Sequence, residues 1–563
     1  MASRHIVPNK TRLPKNALAD FKEDAPPLPL VAYPLTLLVC LAFGGVALWL
    51  GMDADWDLRN YHLHNGWAFV NGLVGRDQLV SVSAQCFHNP TLDIPYALVF
   101  ERLPARVIGF ALGFAHGLNF LPLFAIAWQL STQPDPHRRL SVSAAIALAG
   151  LLGAGGLSEV GMVFYDDVLS LGVLTAVSIV VSRWNILAGG RGSEGVAWVL
   201  AAGFCSGLAF GLKQSMVFYC IGLCAAFLVA DMPMLRRIGI GFWFGVGVLS
   251  GFAVGGGHWA WHLWGAYGNP LFPYYNHVFH SPWALPNPYV DDHFLPRSWA
   301  EKLLSAYRFS LNPLLVGEVP FRDFRIPAMV TLIPLAALAW GWRKQAHPFT
   351  RPGPTGWMLA AGFLSYAVWV PMFSIYRYLV PLEMLAPTLV VAAIGLLPFA
   401  AKTRQYAATG LIGVLVVTTA PHDWRRVPWR DRAVEVEGVA GLSVPANTLV
   451  LLTGNEPLSF LIPAFPQNLR FYRLQSSFEI PTDPEVGFIK LYRDAMAKNP
   501  GPIASLYFVV EEDKAVKALS EYGLVLDKPS CRPLTSPIGF GEYAFCLTRR
   551  LGGSGDVRNE MLH

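Results

Sequence analysis

Long apolar segments separated by polar connections run through the first 420 residues of the chain. A helix needs about 20 apolar residues to cross the hydrocarbon core of a bilayer, and these segments have about that length. The pattern therefore predicts eleven membrane-spanning helices, near 31–50, 105–130, 140–160, 166–182, 195–212, 214–230, 238–264, 326–342, 355–373, 376–399 and 406–420. The stretch 91–103 is shorter and ends in Glu101 and Arg102, so we predict a re-entrant or juxtamembrane piece there.

The amino-acid composition is also typical of a membrane protein. Hydrophobic residues make up 53% of the chain and charged residues only 14%, whereas a soluble domain carries roughly 25% charged residues. The aromatic content of 13% suits belts of Trp and Tyr at the two membrane interfaces. We therefore predict a polytopic α-helical membrane protein. Its polar, basic segment 1–30 shows no cleavable signal and is predicted to be a cytoplasmic tail.

The positions of basic residues orient the predicted spans. With the N-terminal tail inside, the short connections assigned to the cytoplasm are basic, as at Arg138-Arg139 and Arg236-Arg237. This parity puts the chain after residue 420 on the outer face. It also places the polar residues near the span ends on that outer face, whereas the inner loops are short and basic. The residues predicted at the outer face are Asp53, Asp55, Asp57, Asp166, Asp167, Lys213, the loop 265–325 and Tyr376-Arg377-Tyr378.

The last part of the chain has a different pattern. Beyond 420, strand-like runs such as TLVLLT at 448–453 and LYFVV at 506–510 alternate with helix-like segments. This alternation predicts a small extracytoplasmic α/β domain. Its two cysteines, Cys531 and Cys546, flank a turn-rich segment, and on the oxidising side of a membrane such a pair predicts a disulfide.

Charged residues at the ends of apolar segments are costly unless they face water, a partner or a ligand. Lys213 and Arg377 are such residues, and a phosphate at the interface would suit both. The alternatives are that Lys213 reaches outward to the lipid headgroups and that Arg377 pairs with Glu383. A carboxylate such as Asp57 is suited to act as a general base, or it simply caps the helix that follows the first span.

Four short motifs resemble one enzyme superfamily. In WDLRNYH, Asp57 stands four residues before Tyr61, which resembles the first outer loop of the GT-C glycosyltransferases. That superfamily includes protein O-mannosyltransferases and the aminoarabinose transferases that modify lipid A. YDDVLSL at 165–171 resembles the acidic start of their second outer loop. YGNPLFPYYN at 267–276 and RYLVP at 377–381 resemble bacterial members.

The resemblance implies an organisation and an activity. It implies a GT-C-like transmembrane domain at 31–420 with outer loops 51–104 and 265–325, in the bacterial cytoplasmic (inner) membrane, and a periplasmic domain at 421–563. The implied reaction transfers a hexose or pentose from a polyprenyl-phosphate carrier to a lipid, glycan or protein acceptor, usually with inversion. Whether a divalent metal, Mg or Mn, is required stays open, because some members of the superfamily use one and others do not. Nucleic acid is not an expected partner.

The resemblance also implies roles for single residues. Asp57 would take the acceptor proton, with Asp53 and Asp55 as competitors for that role. The donor phosphate would be bound by Lys213, Arg377 and Tyr378. The remaining candidates are Asp166, Asp167 and His62, to position the acceptor or a metal ion, and Asn269, Tyr275, Asn276 and Arg297, in a substrate loop.

Two other functions fit a polytopic chain. A transporter or flippase for a lipid-linked glycan would show inverted repeats or charged residues near mid-span, whereas the polar residues here gather at one face. A non-enzymatic assembly partner would bind through its outer α/β domain and would have no need of the carboxylates at 53–57.

Overall fold

A computed structural model describes residues 26–189, 192–342, 348–442 and 444–551. Of the predicted tail 1–30, all but residues 26–30 lies outside the described part. The described chain is mostly helical and ends in a sheet-containing region. The expectation of a helical membrane part followed by an α/β part is met at that level.

Five helices of the described chain are long and apolar enough to cross a membrane: Ala32–Leu50, Ala105–Leu130, Gly192–Leu212, Met234–Tyr267 and Tyr376–Leu396. Two shorter apolar helices are Gln214–Val229 and Arg325–Gly341. The other predicted segments also coincide with helices, Pro136–Leu151, Asp166–Ser182, Pro352–Met372 and Ala401–Val417. Since these fall short in length or apolarity, the number of eleven spans stays a prediction.

Shorter elements connect the long helices. The stretch 91–103 contains the helix Ile94–Val99, which is far too short to span. The other short α-helices are Leu63–Val70, Ala154–Glu159, Trp184–Gly189, Asn276–Phe279, Trp299–Leu303 and Ser305–Leu311. Single π- or 3₁₀-turns lie at Leu58–His62, Ala84–Phe87, Pro90–Leu92, Pro313–Leu315, Tyr376–Leu379, Val439–Gly441, Ser459–Ala464, Val509–Glu511 and Lys528–Ser530.

Glycines allow the closest helix contact. Gly203 and Gly207 of the helix Gly192–Leu212 lie against the helix Met234–Phe252. A Cβ on Gly207 would lie 2.1 Å from the carbonyl oxygen of Val248. Association of helices in lipid depends on such close backbone approach, because the lipid itself is as apolar as the side chains.

The C-terminal region forms a mixed sheet. Among its described residues the strand Leu449–Thr453 pairs in parallel with Arg470–Arg473 on one side and Ile503–Phe508 on the other. Ile503–Phe508 pairs antiparallel with Glu542–Arg550, and that strand also pairs with two short strands. The short strands are Leu524–Leu526 and Arg532–Thr535, and the helices are Gly487–Lys498 and Glu512–Ser520.

The segment after the first candidate span is built into this C-terminal region. Met52–Asp53 pairs antiparallel with Arg426–Val427. Arg59 is fully buried, and its Nη1 donates to Glu456 Oε1 over 2.5 Å. Arg473, also fully buried, donates from its Nε to the carbonyl of Val80 over 3.1 Å. The C-terminal region therefore holds the segment that carries Asp57.

Candidate active site

The centre of the candidate site is an ion pair between Asp57 and Arg377. Nη1 of Arg377 donates to Oδ2 of Asp57 over 2.6 Å, and both side chains are largely buried. Burial alone raises the pKa of Asp57, but the positive charge of Arg377, with that of Lys213 as a smaller contribution, holds that pKa below its ordinary value. Asp57 is therefore ionised at neutral pH.

The position of Arg377 follows from a sharp turn before the last long span. Ser374 adopts a left-handed conformation with φ 51°, and the 3₁₀ turn Tyr376–Leu379 follows. Glu383, the alternative partner of Arg377, instead accepts hydrogen bonds from the backbone amides of Gly155 and Gly156, both at 3.0 Å, and from the Tyr376 hydroxyl at 2.8 Å. The guanidinium is thus left to Asp57.

A second cation lies beside the first. Nζ of Lys213 lies 2.8 Å from both carboxylate oxygens of Asp166 and donates to the carbonyl of Phe164 over 3.2 Å. The ring of Tyr378 faces both cations, at 5.3 Å from Lys213 Nζ and 5.7 Å from Arg377 Cζ. The predicted phosphate-binding residues Lys213, Arg377 and Tyr378 are therefore together, and each cation already has a carboxylate partner.

The segment Phe164–Asp167 links these groups. Tyr165 has φ 62°, and such a left-handed conformation costs a non-glycine residue about 1–3 kcal/mol. It precedes the helix Asp166–Ser182 and directs Asp166 to Lys213. The side chain of Asp167 has other partners. Its Oδ1 accepts a hydrogen bond from the backbone amide of Val168 at 2.7 Å, and its Oδ2 lies 3.9 Å from His116 Nδ1. Asp166 is thus the acid that reaches the cations.

The other two aspartates of the segment after the first candidate span differ from Asp57. Asp53 accepts the backbone amides of Asp55 and Val163, each at 3.0 Å and each through a different carboxylate oxygen. Asp55 accepts the amide of Leu58 through Oδ1, and its buried Oδ2 has no hydrogen-bond partner in the described chain. Burial, with the charges of Asp53 and Asp57, raises the pKa of Asp55 well above its ordinary value. Of the three, Asp57 has the cationic partner.

His62 forms a dyad with Asp93. Nδ1 of His62 lies 2.6 Å from Oδ1 of Asp93, and its buried Nε2 has no hydrogen-bond partner among the described residues. When Nδ1–H donates to the carboxylate, Nε2 keeps a free lone pair. The Tyr165 ring meets the imidazole edge-on at 5.4 Å. The sequence analysis predicted His62 as a positioning residue, whereas no sequence motif pointed to Asp93.

The long loop 265–325 contributes a residue that the sequence analysis did not single out. The hydroxyl of Tyr274 lies 2.9 Å from Nε2 of His88, and the ring of His88 lies 5.4 Å from that of Tyr61. Burial lowers the pKa of His88 to about 4. A neutral His88 can therefore accept the tyrosine hydroxyl at Nε2.

The four predicted substrate-loop residues are not part of this group. Asn276 donates through its amide to the carbonyls of Ser281, Ala284 and Leu285, at 2.9 to 3.0 Å. Asn269 accepts the amide of Leu271 at 2.9 Å, so both asparagines hold the shape of the loop. The two remaining residues, Tyr275 and Arg297, are exposed.

A cleft opens beside Arg377 and encloses about 370 Å³ when its solvent-filled mouth is included. Its lining includes Glu159, which is 1% exposed and has no hydrogen-bond partner for either carboxylate oxygen in the described chain. An unpaired buried carboxyl group is costly, so its presence in a cleft beside a cation marks it as a candidate functional residue. The sequence analysis missed Glu159 because it lies within a predicted span.

The remaining expectations concern a metal and a disulfide. Among the described residues, no group of three or more His, Cys, Asp or Glu side chains is arranged to hold a metal ion. Cys531 and Cys546 are joined by a disulfide bond. No family model, curated protein or solved structure matches this chain.

Chemically, the site combines two carboxylate–cation pairs with a neighbouring cleft. The guanidinium and the ammonium suit an anionic group, and the guanidinium can bind phosphate through two donors. Displacing a carboxylate from its cation would free it to accept a proton. The site can therefore bind an anion and take up a proton at adjoining places.

Proposed function

We propose that the protein is a glycosyltransferase of the GT-C type, which moves a sugar from a polyprenyl-phosphate carrier to an acceptor at the outer face of the bacterial cytoplasmic membrane. The contact between Asp57 and Arg377 carries the proposal, because it joins the WDLRNYH motif to the RYLVP motif. Both motifs were singled out separately for their resemblance to that superfamily.

In this proposal the donor phosphate binds Arg377 and Lys213 and competes with their carboxylate partners. The donor phosphodiester carries one negative charge, as a carboxylate does, but it can contact Arg377 and Lys213 at once and can therefore displace Asp57 from the guanidinium. The freed carboxylate of Asp57 then takes the proton of the acceptor hydroxyl. His62, whose Nε2 lies free behind its contact with Asp93, is a second proton acceptor within the same group.

The bond changes follow from these positions. The acceptor oxygen attacks the anomeric carbon of the sugar as its proton passes to the base. The bond between the anomeric carbon and the phosphate oxygen breaks, and its electron pair remains on the phosphate. Arg377 and Lys213 stabilise that charge as it develops, which is where a fixed cation lowers a barrier most. A single displacement of this kind inverts the anomeric centre.

The test is a transfer assay with the full chain in lipid nanodiscs. Polyprenyl-phosphate sugars labelled in the sugar would be offered with a total lipid extract as acceptor, and products analysed by mass spectrometry. We expect a labelled product with wild type and none with Asp57→Asn. Movement of an intact lipid-linked glycan across reconstituted vesicles, without any change in its covalent structure, would favour the flippase instead.

A further inference from the structure

A second cavity lies apart from the candidate active site. Together with the part that is open to solvent it encloses about 540 Å³, and it is bounded by the helix Leu63–Val70, the loop after it, and the last turns of the span Met234–Tyr267. Phe87 lines this cavity, whereas its neighbour His88 contacts Tyr274 on the side of the active site. The two sites are therefore separated by one layer of the outer loop.

The polar residues that line this cavity are His64, Asn65, Asp77, Gln78 and His262, and of these His64 has an unpaired buried ring nitrogen. The residue is 5% exposed, and its Nε2 lies 3.3 Å from Oδ2 of Asp77. Its buried Nδ1 has no hydrogen-bond partner among the described residues. Because the carboxylate takes the Nε2–H, the Nδ1 lone pair is left to accept a hydrogen bond from a ligand.

The charges around His64 favour an uncharged ligand. Asp77 is already engaged by the Phe471 amide at 3.0 Å and by Arg76 at 3.3 Å, in addition to His64. An anionic ligand would meet this carboxylate, and a cationic ligand would find its oxygens taken. A hydroxyl group can donate to Nδ1 without either conflict.

The apolar part of the cavity indicates where the ligand comes from. Trp259 and Leu263, one turn apart, line the cavity on one face of the long span. On the opposite face at the same depth, Trp261 and Trp264 are 80% and 60% exposed. Exposed tryptophans at a span end lie at the level of the lipid headgroups, so the cavity is at that level too.

We propose that this cavity binds the uncharged, hydroxyl-bearing headgroup of a membrane lipid, with a headgroup hydroxyl donating to Nδ1 of His64 and the upper part of the lipid chains against Trp259 and Leu263. The site is independent of the proposed sugar transfer. It makes the outer loop sensitive to the lipid composition of the outer leaflet.

The experiment uses the full chain in nanodiscs that contain a glucosyl diacylglycerol with a diazirine near the headgroup. After irradiation, crosslinked peptides are mapped by mass spectrometry. We expect labels on the peptides around His64 and Trp259, and labelling about fivefold weaker with the same lipid when its sugar hydroxyls are O-methylated, the change that corresponds to one hydrogen bond.

Two variants separate binding from folding. His64→Ala removes the acceptor, and Val74→Trp fills the cavity from its half-buried rim while His64 itself is retained. Both are expected to lose labelling about fivefold or more, whereas Trp261→Ala on the lipid face keeps it. If the His64→Ala protein does not fold, the labelling of Val74→Trp decides whether the lipid binds in this cavity.

Three outcomes would overturn the proposal. Equal labelling by the hydroxylated and methylated lipids would show that no hydroxyl is recognised. Unchanged labelling in Val74→Trp, or labels restricted to the exposed Trp261 face, would show ordinary contact with surrounding lipid. Full competition by soluble methyl glucoside would show a glycan site that does not require a lipid.

Discussion

Arg377 donates a hydrogen bond to Asp57 over 2.6 Å, although 320 residues separate them in the chain. The two largely buried groups neutralise each other and bring the end of the first span to the start of the last long one. Because breaking such a pair leaves one charge buried and unpaired, stability and the proposed catalysis depend on the same contact.

The first prediction concerns the strength of this ion pair. We expect Asp57→Asn and Arg377→Gln each to lower the free energy of unfolding by about 2–3 kcal/mol, somewhat less than for a fully buried pair. The double variant should lose less than the sum of the two, by about 1 kcal/mol or more. Thermal unfolding of the purified proteins in one detergent gives all four values, and strict additivity would mean that the contact contributes nothing.

The second prediction concerns anion binding by Lys213 and Arg377. We expect Lys213→Gln and Arg377→Gln each to weaken the binding of undecaprenyl phosphate about tenfold, because each removes one charge-assisted contact. Arg377→Lys should recover only part of the loss, since lysine lacks the two-donor geometry. Native mass spectrometry of the lipid-bound fraction measures this. The matched control is Lys302→Gln, in the outer loop and away from the cluster, and an equal loss there would point to general charge effects.

The third prediction concerns acid stability. The pKa of His88 is about 4 in the folded protein, against an ordinary value near 6.5, so between these values the unfolded chain binds the extra proton. As pH falls from about 7 to 4, this difference in the pKa of His88 lowers the free energy of unfolding by about 3 kcal/mol. His88→Gln keeps an acceptor for Tyr274 and should flatten this part of the melting-temperature profile. An unchanged slope below pH 6.5 would contradict it.

The fourth prediction concerns Glu159. Replacing this unpaired buried carboxyl group by Met, which has a similar shape, should raise the free energy of unfolding by about 1–3 kcal/mol while lowering sugar transfer. Glu194→Gln, at an exposed position, is the control and should change neither quantity. A destabilised Glu159→Met protein would show that the carboxyl group supports the fold instead.

The fifth prediction concerns the disulfide between Cys531 and Cys546. The bond closes a loop with a sequence separation of 15, for which the loss of unfolded-state entropy corresponds to about 3 kcal/mol. We expect the double alanine variant to melt at a lower temperature and to show earlier proteolysis of the C-terminal region. Replacing the free Cys224 by Ala should have little effect on that proteolysis.

The sequence could identify the charged members of the candidate site but not their pairing. Asp57, Lys213 and Arg377 were found because charges at the ends of apolar segments stand out against a chain that is otherwise poor in them. The choice between Asp57 and Glu383 as the partner of Arg377 could not be made from spacing. Residues six apart do not share a helix face, and only the fold brings Gly155 and Gly156 to Glu383.

The uncharged members of the site were harder to find. His88 and Tyr274 lie in loops whose course depends on long-range packing, and no periodic pattern distinguishes them from structural residues. The same holds for the two loop asparagines, Asn269 and Asn276: their hydrogen bonds within the loop could not be read from the sequence, and their role toward a substrate stays a prediction. The α/β pattern of the C-terminal region was readable, but its attachment to the segment after the first candidate span was not.

That attachment has a consequence for how the protein is made. Arg59 leaves the ribosome early, yet Glu456, which holds it, is 397 residues further along. At a translation rate of about 5–20 residues per second, about 20–80 s pass between the synthesis of Arg59 and that of its partner Glu456. Truncated or stalled chains therefore reach the membrane with an unfinished outer segment, so that the complete site arises only on a finished polypeptide.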